Sequence, residues 1–170
     1  MTQLEDIADW LKTSVTEVGN FRRDNPSDHT KAGWGQFLSN NVHGNQIGPY
    51  GTCAAIYLHH IADPASTISD AVVAQIESFW AEGQGSKLYE QNIRLAFLVF
   101  SLSLAHEPRL LAVRQSAIAL LKSRQLQNGG WADAVSRSNQ DVEVSRLDVT
   151  AWVSLALHQV SGQDNSAIRG

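Results

Sequence analysis

The chain has 170 residues, which is enough for one compact domain that needs neither a disulfide nor a metal to fold. With 43% hydrophobic and 18% charged residues, its composition excludes a disordered chain, a collagen and a coiled coil. Thirteen Lys and Arg against seventeen Asp and Glu give a formal net charge of -4, which repels phosphate backbones and anionic lipids. Nucleic acid is therefore not an expected partner.

The cellular compartment is predicted from the cysteine content and the first residues. The single cysteine, Cys53, cannot form an intrachain disulfide, and the first residues lack the basic and apolar regions of a secretory signal. These features predict a cytoplasmic protein. The longest apolar stretch, from Leu95 to Phe100, is shorter than the roughly 20 residues of a membrane-spanning helix. We expect no membrane span and interpret this stretch as part of a buried helix.

Pairs of helices are predicted along the whole chain. Amphipathic stripes with three-and-four spacing predict a first, outer helix in each pair, over Leu4–Val18, Ile68–Phe79 and Leu110–Leu121. The second helix is apolar around more of its circumference, most clearly over Ile93–Ala105, which predicts that other helices enclose it. No stretch alternates with period two for long enough to predict a sheet. We therefore expect an all-α fold with outer and inner helices.

Tryptophans and histidines recur in phase. Three of the five tryptophans are followed by a histidine after 26, 26 and 27 residues, and a helix-breaking residue comes soon after each of these three histidines. This pattern predicts three copies of one helical hairpin, spanning about 1–62, 63–107 and 108–162, within a single domain over 1–162. Residues 163–170 are expected to be a polar tail or linker. The phased pairs are Trp34 with His60, Trp80 with His106, and Trp131 with His158.

The third copy contains a known motif. Gln125, Gly129 and Trp131 match the pattern Q-x-x-x-G-x-W, and the run from Asp148 to Trp152 looks like the inner-helix start that follows this pattern elsewhere. The chain thus resembles the terpenoid cyclases and the related prenyltransferase and squalene-cyclase repeats, whose signature is the QW motif. The first two copies keep only part of the motif.

The resemblance implies an α/α toroid of helical hairpins. Three hairpins make about half of such a ring, which leaves the first and last hairpins with exposed apolar edges. We therefore expect another domain, a subunit or a second copy of the chain to complete the ring. The alternative architecture is a HEAT-like solenoid, whose period of about 40–47 residues overlaps this one. The long Gly-Gly-Trp loop argues against it.

Candidate ligand-binding residues follow from the resemblance, because the cavity of the family lies where the inner helices begin. Helix N-termini also favour anions there. Two arginines, Arg94 and Arg146, are predicted in equivalent positions and could hold one anion together, unless solvent or carboxylates pair with them. The candidates at the three helix starts are Tyr50, Cys53, Asn92, Arg94, Arg146, Asp148 and Trp152.

A structural role is implied for the residues that carry the motif. Their aromatic rings are expected to brace the loops, and the side chain of Gln125 is expected to bond the backbone. These residues are Trp34, Trp80, Gln125, Gly129 and Trp131.

The catalytic features of the family are not found in this sequence. There is no D-x-D-D acid motif. Cys53 and His60 imitate part of the prenyltransferase zinc site, but they stand two helical turns apart, about 10 Å, which is too far for two ligands of one zinc ion. We therefore expect no metal, no cofactor and no catalytic residue.

Two hypotheses of function remain. The first is a non-catalytic interaction or ligand-sensing module, part of a larger protein or oligomer, that holds a partner segment or a small apolar or anionic ligand. The second is an enzyme or enzyme half of the cyclase or prenyltransferase type, which binds an isoprenoid-like substrate with Arg94 and Arg146 at the mouth of its cavity. The sequence favours the first hypothesis, because three hairpins, the missing acid motif and the missing zinc site all point away from the chemistry of the family. A shared fold by itself warrants only analogy in chemistry.

Overall fold

A computed structural model describes residues 3–35, 46–82, 91–133 and 144–167. Within these ranges the chain is mostly helical, which confirms the all-α prediction. A two-stranded sheet lies between the first two helices, and a 3-10 turn, Pro108–Leu110, precedes the fifth. The elements are α1 (Gln3–Asn20), β1 (Arg23–Asn25), β2 (Asp28–Gly33), α2 (Pro49–Ala62), α3 (Asp70–Ala81), α4 (Asn92–Ala105), α5 (Leu111–Ser123) and α6 (Leu147–Ala167).

The three helices predicted as inner helices, α2, α4 and α6, pack side by side in one row. Helix α4 packs against α2 on one side and against α6 on the other. It is the most deeply buried helix, because Leu95, Leu98, Val99 and Leu102 are almost completely enclosed. The sequence of α4 is apolar around most of the helix because other elements pack against it on several sides. Among the helices predicted as outer, α1 packs against α2 and α5 packs against α4, whereas α3 packs mainly against strand β2.

The small sheet was not predicted from the sequence. Strands β1 and β2 are antiparallel, with Arg23 opposite Gly33 and Asp24 opposite Ala32. Only the end of β2 is buried, so its side chains do not alternate between apolar and polar. Helix α3 covers β2, and Asn25 Nδ2 donates to Gln75 Oε1 at 2.9 Å.

Two hydrogen bonds of Trp34 join the ends of the first hairpin. Its indole N–H donates to the carbonyl oxygen of Val18 in the last turn of α1, at 2.8 Å. Its backbone N–H donates to Thr52 Oγ1 in the first turn of α2, at 3.2 Å. All three residues are buried, so the two bonds satisfy polar groups that would otherwise be costly to enclose.

The third hairpin repeats this arrangement. The indole N–H of Trp131 donates to the carbonyl oxygen of Leu121 in α5, at 2.7 Å, and its backbone N–H donates to Thr150 Oγ1 in α6, at 3.0 Å. The predicted bond of Gln125 is also present, because its Nε2 donates to the carbonyl oxygen of Gly129 at 2.8 Å. Gly129 has a positive φ of 84°, a conformation that favours glycine. The bonds that Trp34 and Trp131 make to the flanking helices are therefore equivalent.

The second hairpin differs from the other two. Trp80 lies in the last turn of α3 and not in a loop, contrary to its predicted role as a loop brace. In the first turn of α4 the backbone N–H of Leu95 donates to the carbonyl oxygen of Gln91. In α2 and α6 the corresponding donors are the backbone N–H groups of Thr52 and Thr150. Leu95 thus stands where the other two hairpins have a threonine. Residues 83–90, between α3 and α4, lie outside the described residues.

The end of the third hairpin also departs from the prediction. Helix α6 continues to Ala167, so 163–167 are helical, whereas the sequence analysis expects a tail from 163 onwards. His158 therefore lies inside a helix. His60 and His106 are at helix ends as predicted, and His106 adopts the left-handed conformation that ends α4.

The start of α2 fits closely under the first loop at Gly51. A Cβ added there would lie 2.0 Å from the backbone oxygen of Gly35 and 2.6 Å from its carbonyl carbon. Backbone atoms cannot rotate away from such a contact as a flexible side chain can. A glycine at this position is therefore required by packing and not by backbone conformation.

Gly51→Ala is expected to lower the free energy of unfolding by about 3 kcal/mol, because the loop must move away from α2. The matched control is Gly19→Ala, where nothing lies within 4 Å of the added Cβ and the residue is helical. This control is expected to be neutral or to stabilise by up to about 1 kcal/mol. Urea unfolding measures both variants, and equal stabilities would contradict the close contact.

Candidate functional site

Five aromatic side chains form a continuous surface across the inner helices. Phe97 and Phe100 of α4 lie in the middle, with ring centroids 5.5 and 6.4 Å from that of Trp152 on α6. On the other side, Tyr50 lies 5.2 Å from Phe97, and Tyr57 lies 6.0 Å from Phe97 and 5.4 Å from Phe100. These separations are typical of favourable tilted and edge-on ring pairs. We call this surface, made of Tyr50, Tyr57, Phe97, Phe100 and Trp152, the aromatic row.

The aromatic row is open to solvent at both sides. Tyr50 is 41% exposed and Trp152 is 37% exposed, while the three rings between them are half-buried. Within the described residues, the two tyrosine hydroxyls and the indole N–H of Trp152 make no hydrogen bond. Aromatic side chains with free polar tips are typical of binding surfaces, since one ring supplies both apolar area and a donor.

The helices position these rings by presenting two apolar faces. On α4, Leu95 and Leu98 face the core, whereas Phe97 and Phe100, three residues apart, lie on another side of the helix. Three-residue spacing places side chains on one helical face. Tyr50 and Tyr57 are seven residues apart on α2 and share a face in the same way. The row therefore arises from the ordinary helical period.

Two of the predicted ligand-binding residues, Tyr50 and Trp152, are members of the aromatic row, where Phe97 lies between them. The sequence analysis did not select Tyr57, Phe97 or Phe100. The sequence marks these three side chains only as aromatic residues on the inner helices at positions that do not face the core. That signal does not distinguish a second buried face from an exposed one.

Arg146 and Asp148 form an ion pair before and within the first turn of α6. Arg146 Nη2 lies 2.8 Å from Asp148 Oδ2, and its Nη1 lies 3.2 Å from Asp133 Oδ2. The hydrogen bond from Arg146 lowers the pKa of the Asp148 carboxyl below its usual value. Two carboxylates therefore neutralise the charge of this guanidinium. This pairing is the alternative to anion binding that the sequence left open, and it weakens the case for an anion site at Arg146.

Arg94 does not occupy the position equivalent to Arg146. When the helices are aligned on their first turns, Gln91 stands where α6 has Arg146 and α2 has Gly48. Arg94 lies three residues further on, half-buried in the first turn of α4. The alignment of Arg94 with Arg146 that was inferred from the sequence is therefore wrong by three residues.

Asn92 has a structural role at the start of α4. Its backbone N–H donates to the carbonyl oxygen of Asp133 at 3.0 Å, and its Nδ2 donates to that of Ala132 at 2.9 Å. Its Oδ1 accepts from Arg124 Nη1 at 3.1 Å. Asn92 is only 2% exposed, and each of these polar groups has a hydrogen-bond partner. The residue therefore links the loop of the third hairpin to the inner helix of the second.

Cys53 is a core residue, with an exposed fraction of 1%. Burial raises the pKa of its thiol to about 12. No group of three or more His, Cys, Asp or Glu side chains in the described part of the chain could hold a metal ion. None of the helices over these same residues combines the length and apolar character that a membrane span requires.

No match to this chain was found among protein-family models, among curated proteins or among solved structures. The arguments about function therefore depend on the geometry of the chain itself.

Cys53 is expected to resist thiol reagents in the folded protein at pH 8, because the neutral buried thiol is neither accessible nor nucleophilic. The measurement is the labelling rate with an aromatic disulfide reagent, with and without denaturing urea. Labelling should require unfolding. A native labelling rate close to that of a free thiol would contradict the burial of Cys53.

Proposed function

We propose that this chain is a non-catalytic binding module whose aromatic row holds an apolar segment of a partner protein. The observation that carries the proposal is the row itself, five contiguous rings on three helices with their outer members more than a third exposed. Contiguous exposed apolar surface of this kind marks interaction sites in soluble proteins. The cytoplasm is the proposed location.

The chemistry of the row favours a peptide segment over a hydrocarbon ligand. Small apolar ligands are held in concave pockets that enclose most of their surface. The row instead presents ring faces together with the hydroxyls of Tyr50 and Tyr57 and the indole N–H of Trp152. Ring faces can take apolar side chains while these three donors reach the carbonyl oxygens of a peptide backbone.

The toroid remains part of the proposal. The inner row of α2, α4 and α6 and the matched loops at Trp34 and Trp131 support a repeat of the type seen in terpenoid cyclases. In such a half-ring the aromatic row would lie on the surface that faces the ring centre. A partner segment held there would complete the ring, in the way a further domain or a second copy would.

The alternative, an enzyme half that binds an isoprenoid diphosphate, requires arginines that are free to bind an anion. Arg146 is paired with two carboxylates, and Arg94 is not in register with it. These contacts support the binding module as the better proposal.

The test is a selection of peptides from a displayed random library on the purified chain. We expect peptides rich in apolar residues, and we expect Trp152→Ser and Tyr50→Ser each to weaken their binding by tenfold or more, because exposed Trp and Tyr dominate such contacts. The matched control is Trp10→Ser, which removes a tryptophan that is 65% exposed on α1. It should bind as the wild type does.

Three results would contradict the proposal. One is a set of selected peptides whose binding is insensitive to Trp152→Ser. The second is a calorimetric titration with farnesyl diphosphate that gives heat in the wild type and none in Arg146→Ala, which would support the enzyme half. The third is a dimer, measured by sedimentation, that Trp152→Ser converts to a monomer, because the row would then be covered by a second copy.

A further inference from the structure

A cavity of about 280 Å³ lies away from the aromatic row, between the end of α1, the second half of α2 and the beginning of α3. This volume is at the lower end of the range for small-molecule sites, which is about 300–1,000 Å³. It suits a compact molecule of about a dozen non-hydrogen atoms. The lining residues on which the argument depends are Arg22, Trp34, His59, Ser66, Thr67 and Ser69.

The inner part of the cavity is apolar and aromatic. Trp34, Ile56 and Val72 are core residues, and the ring of His59 lies 5.9 Å from that of Trp34 at an angle of 51°. Since the indole N–H of Trp34 is bonded to Val18, the indole offers the cavity only its apolar ring surface. A flat ring is the shape that such a wall accommodates best.

One polar atom in this wall has no partner. His59 Nε2 is buried and makes no hydrogen bond within the described residues. Buried polar atoms are almost always hydrogen-bonded, so an unpaired one in a cavity wall indicates a group that binds there. A hydroxyl or another small polar group that enters beside Trp34 can supply this partner.

The lining carries positive charge and no carboxylate. Arg22 is exposed, and its side chain forms no ion pair or hydrogen bond within the described residues. Burial lowers the pKa of His59 and of His60, so both imidazoles are mainly neutral at pH 7 and Arg22 supplies the charge. The nearby carboxylate of Asp70 is already bonded to Arg109. One free guanidinium matches one carboxylate.

Hydroxyl groups surround the same opening. Ser66, Thr67 and Ser69 line the cavity, and Ser69 begins α3 without a side-chain capping bond. None of the three hydroxyls makes a side-chain hydrogen bond within the residues that the structure describes. They can therefore donate to the oxygens of an anion that Arg22 holds.

We propose that this cavity is a binding site for a small hydroxylated aromatic carboxylic acid. Its ring lies against Trp34, its hydroxyl bonds His59 Nε2, and its carboxylate binds Arg22 with help from the hydroxyls of Ser66, Thr67 and Ser69. The site is separate from the aromatic row, so this inference does not depend on the proposed function.

The test is a titration with three probes, followed by NMR at the indole N–H of Trp34 and the amides of residues 66–69. 4-Hydroxyphenylacetate has all the required groups and is expected to bind with a Kd below about 1 mM. Phenylacetate lacks the hydroxyl and should bind about fivefold more weakly or worse, because His59 Nε2 stays unpaired. Tyramine replaces the carboxylate with a cation and should not bind.

Two variants assign the contacts. Arg22→Gln is expected to weaken 4-hydroxyphenylacetate about tenfold, whereas Arg23→Gln, on the neighbouring residue outside the lining, should leave the Kd unchanged. His59→Phe should make 4-hydroxyphenylacetate and phenylacetate bind equally. Arg22 is on the surface, so its variant tests the site even where His59→Phe does not fold.

The proposal is overturned by any of three outcomes. The first is that none of the three probes shifts the signals of Trp34 or residues 66–69. The second is that tyramine binds as well as 4-hydroxyphenylacetate, which would remove the role of Arg22. The third is that the two arginine variants bind 4-hydroxyphenylacetate with the same Kd.

Discussion

The structure depends on the paired hydrogen bonds of two tryptophans. In each of two hairpins, an indole N–H holds the end of the outer helix, and the backbone N–H of the same residue holds a threonine at the start of the inner helix. A tryptophan suits this role because it fills a long loop with apolar volume while its donors are satisfied. The outer and inner layers are thereby fixed relative to each other at Trp34 and Trp131, and Asn92 links the third hairpin to the second.

Fixed inner helices allow apolar side chains to remain on the surface in an ordered arrangement. Because α4 is held between α2 and α6, its outward-facing rings meet those of both neighbours. Isolated exposed rings are common on protein surfaces, but a row of five ring contacts across three helices is a shaped surface. The packing of α4 between α2 and α6 gives that surface a defined geometry, and defined geometry lowers the entropic cost of binding a partner.

The aromatic row and the cavity beside His59 belong to different parts of the same scaffold. The row is formed by inner helices alone, whereas the cavity lies where the first hairpin meets the start of α3. Trp34 has two structural roles, because it joins the helices of the first hairpin and also forms a wall of the cavity. A change at Trp34 would therefore alter both the stability of the first hairpin and the shape of the cavity.

The sequence by itself determined the all-α character of the chain and the bond between Gln125 and Gly129 beside Trp131, because these follow from local periodicity and from glycine conformation. It also pointed to Tyr50 and Trp152. Only the tertiary structure decided that Phe97 joins these two rings, that the charge of Arg146 is balanced by carboxylates, and that a small sheet lies between α1 and α2. Such contacts join residues that are distant in the chain, and a helical period shows that a face is apolar without showing which neighbour, or solvent, that face meets.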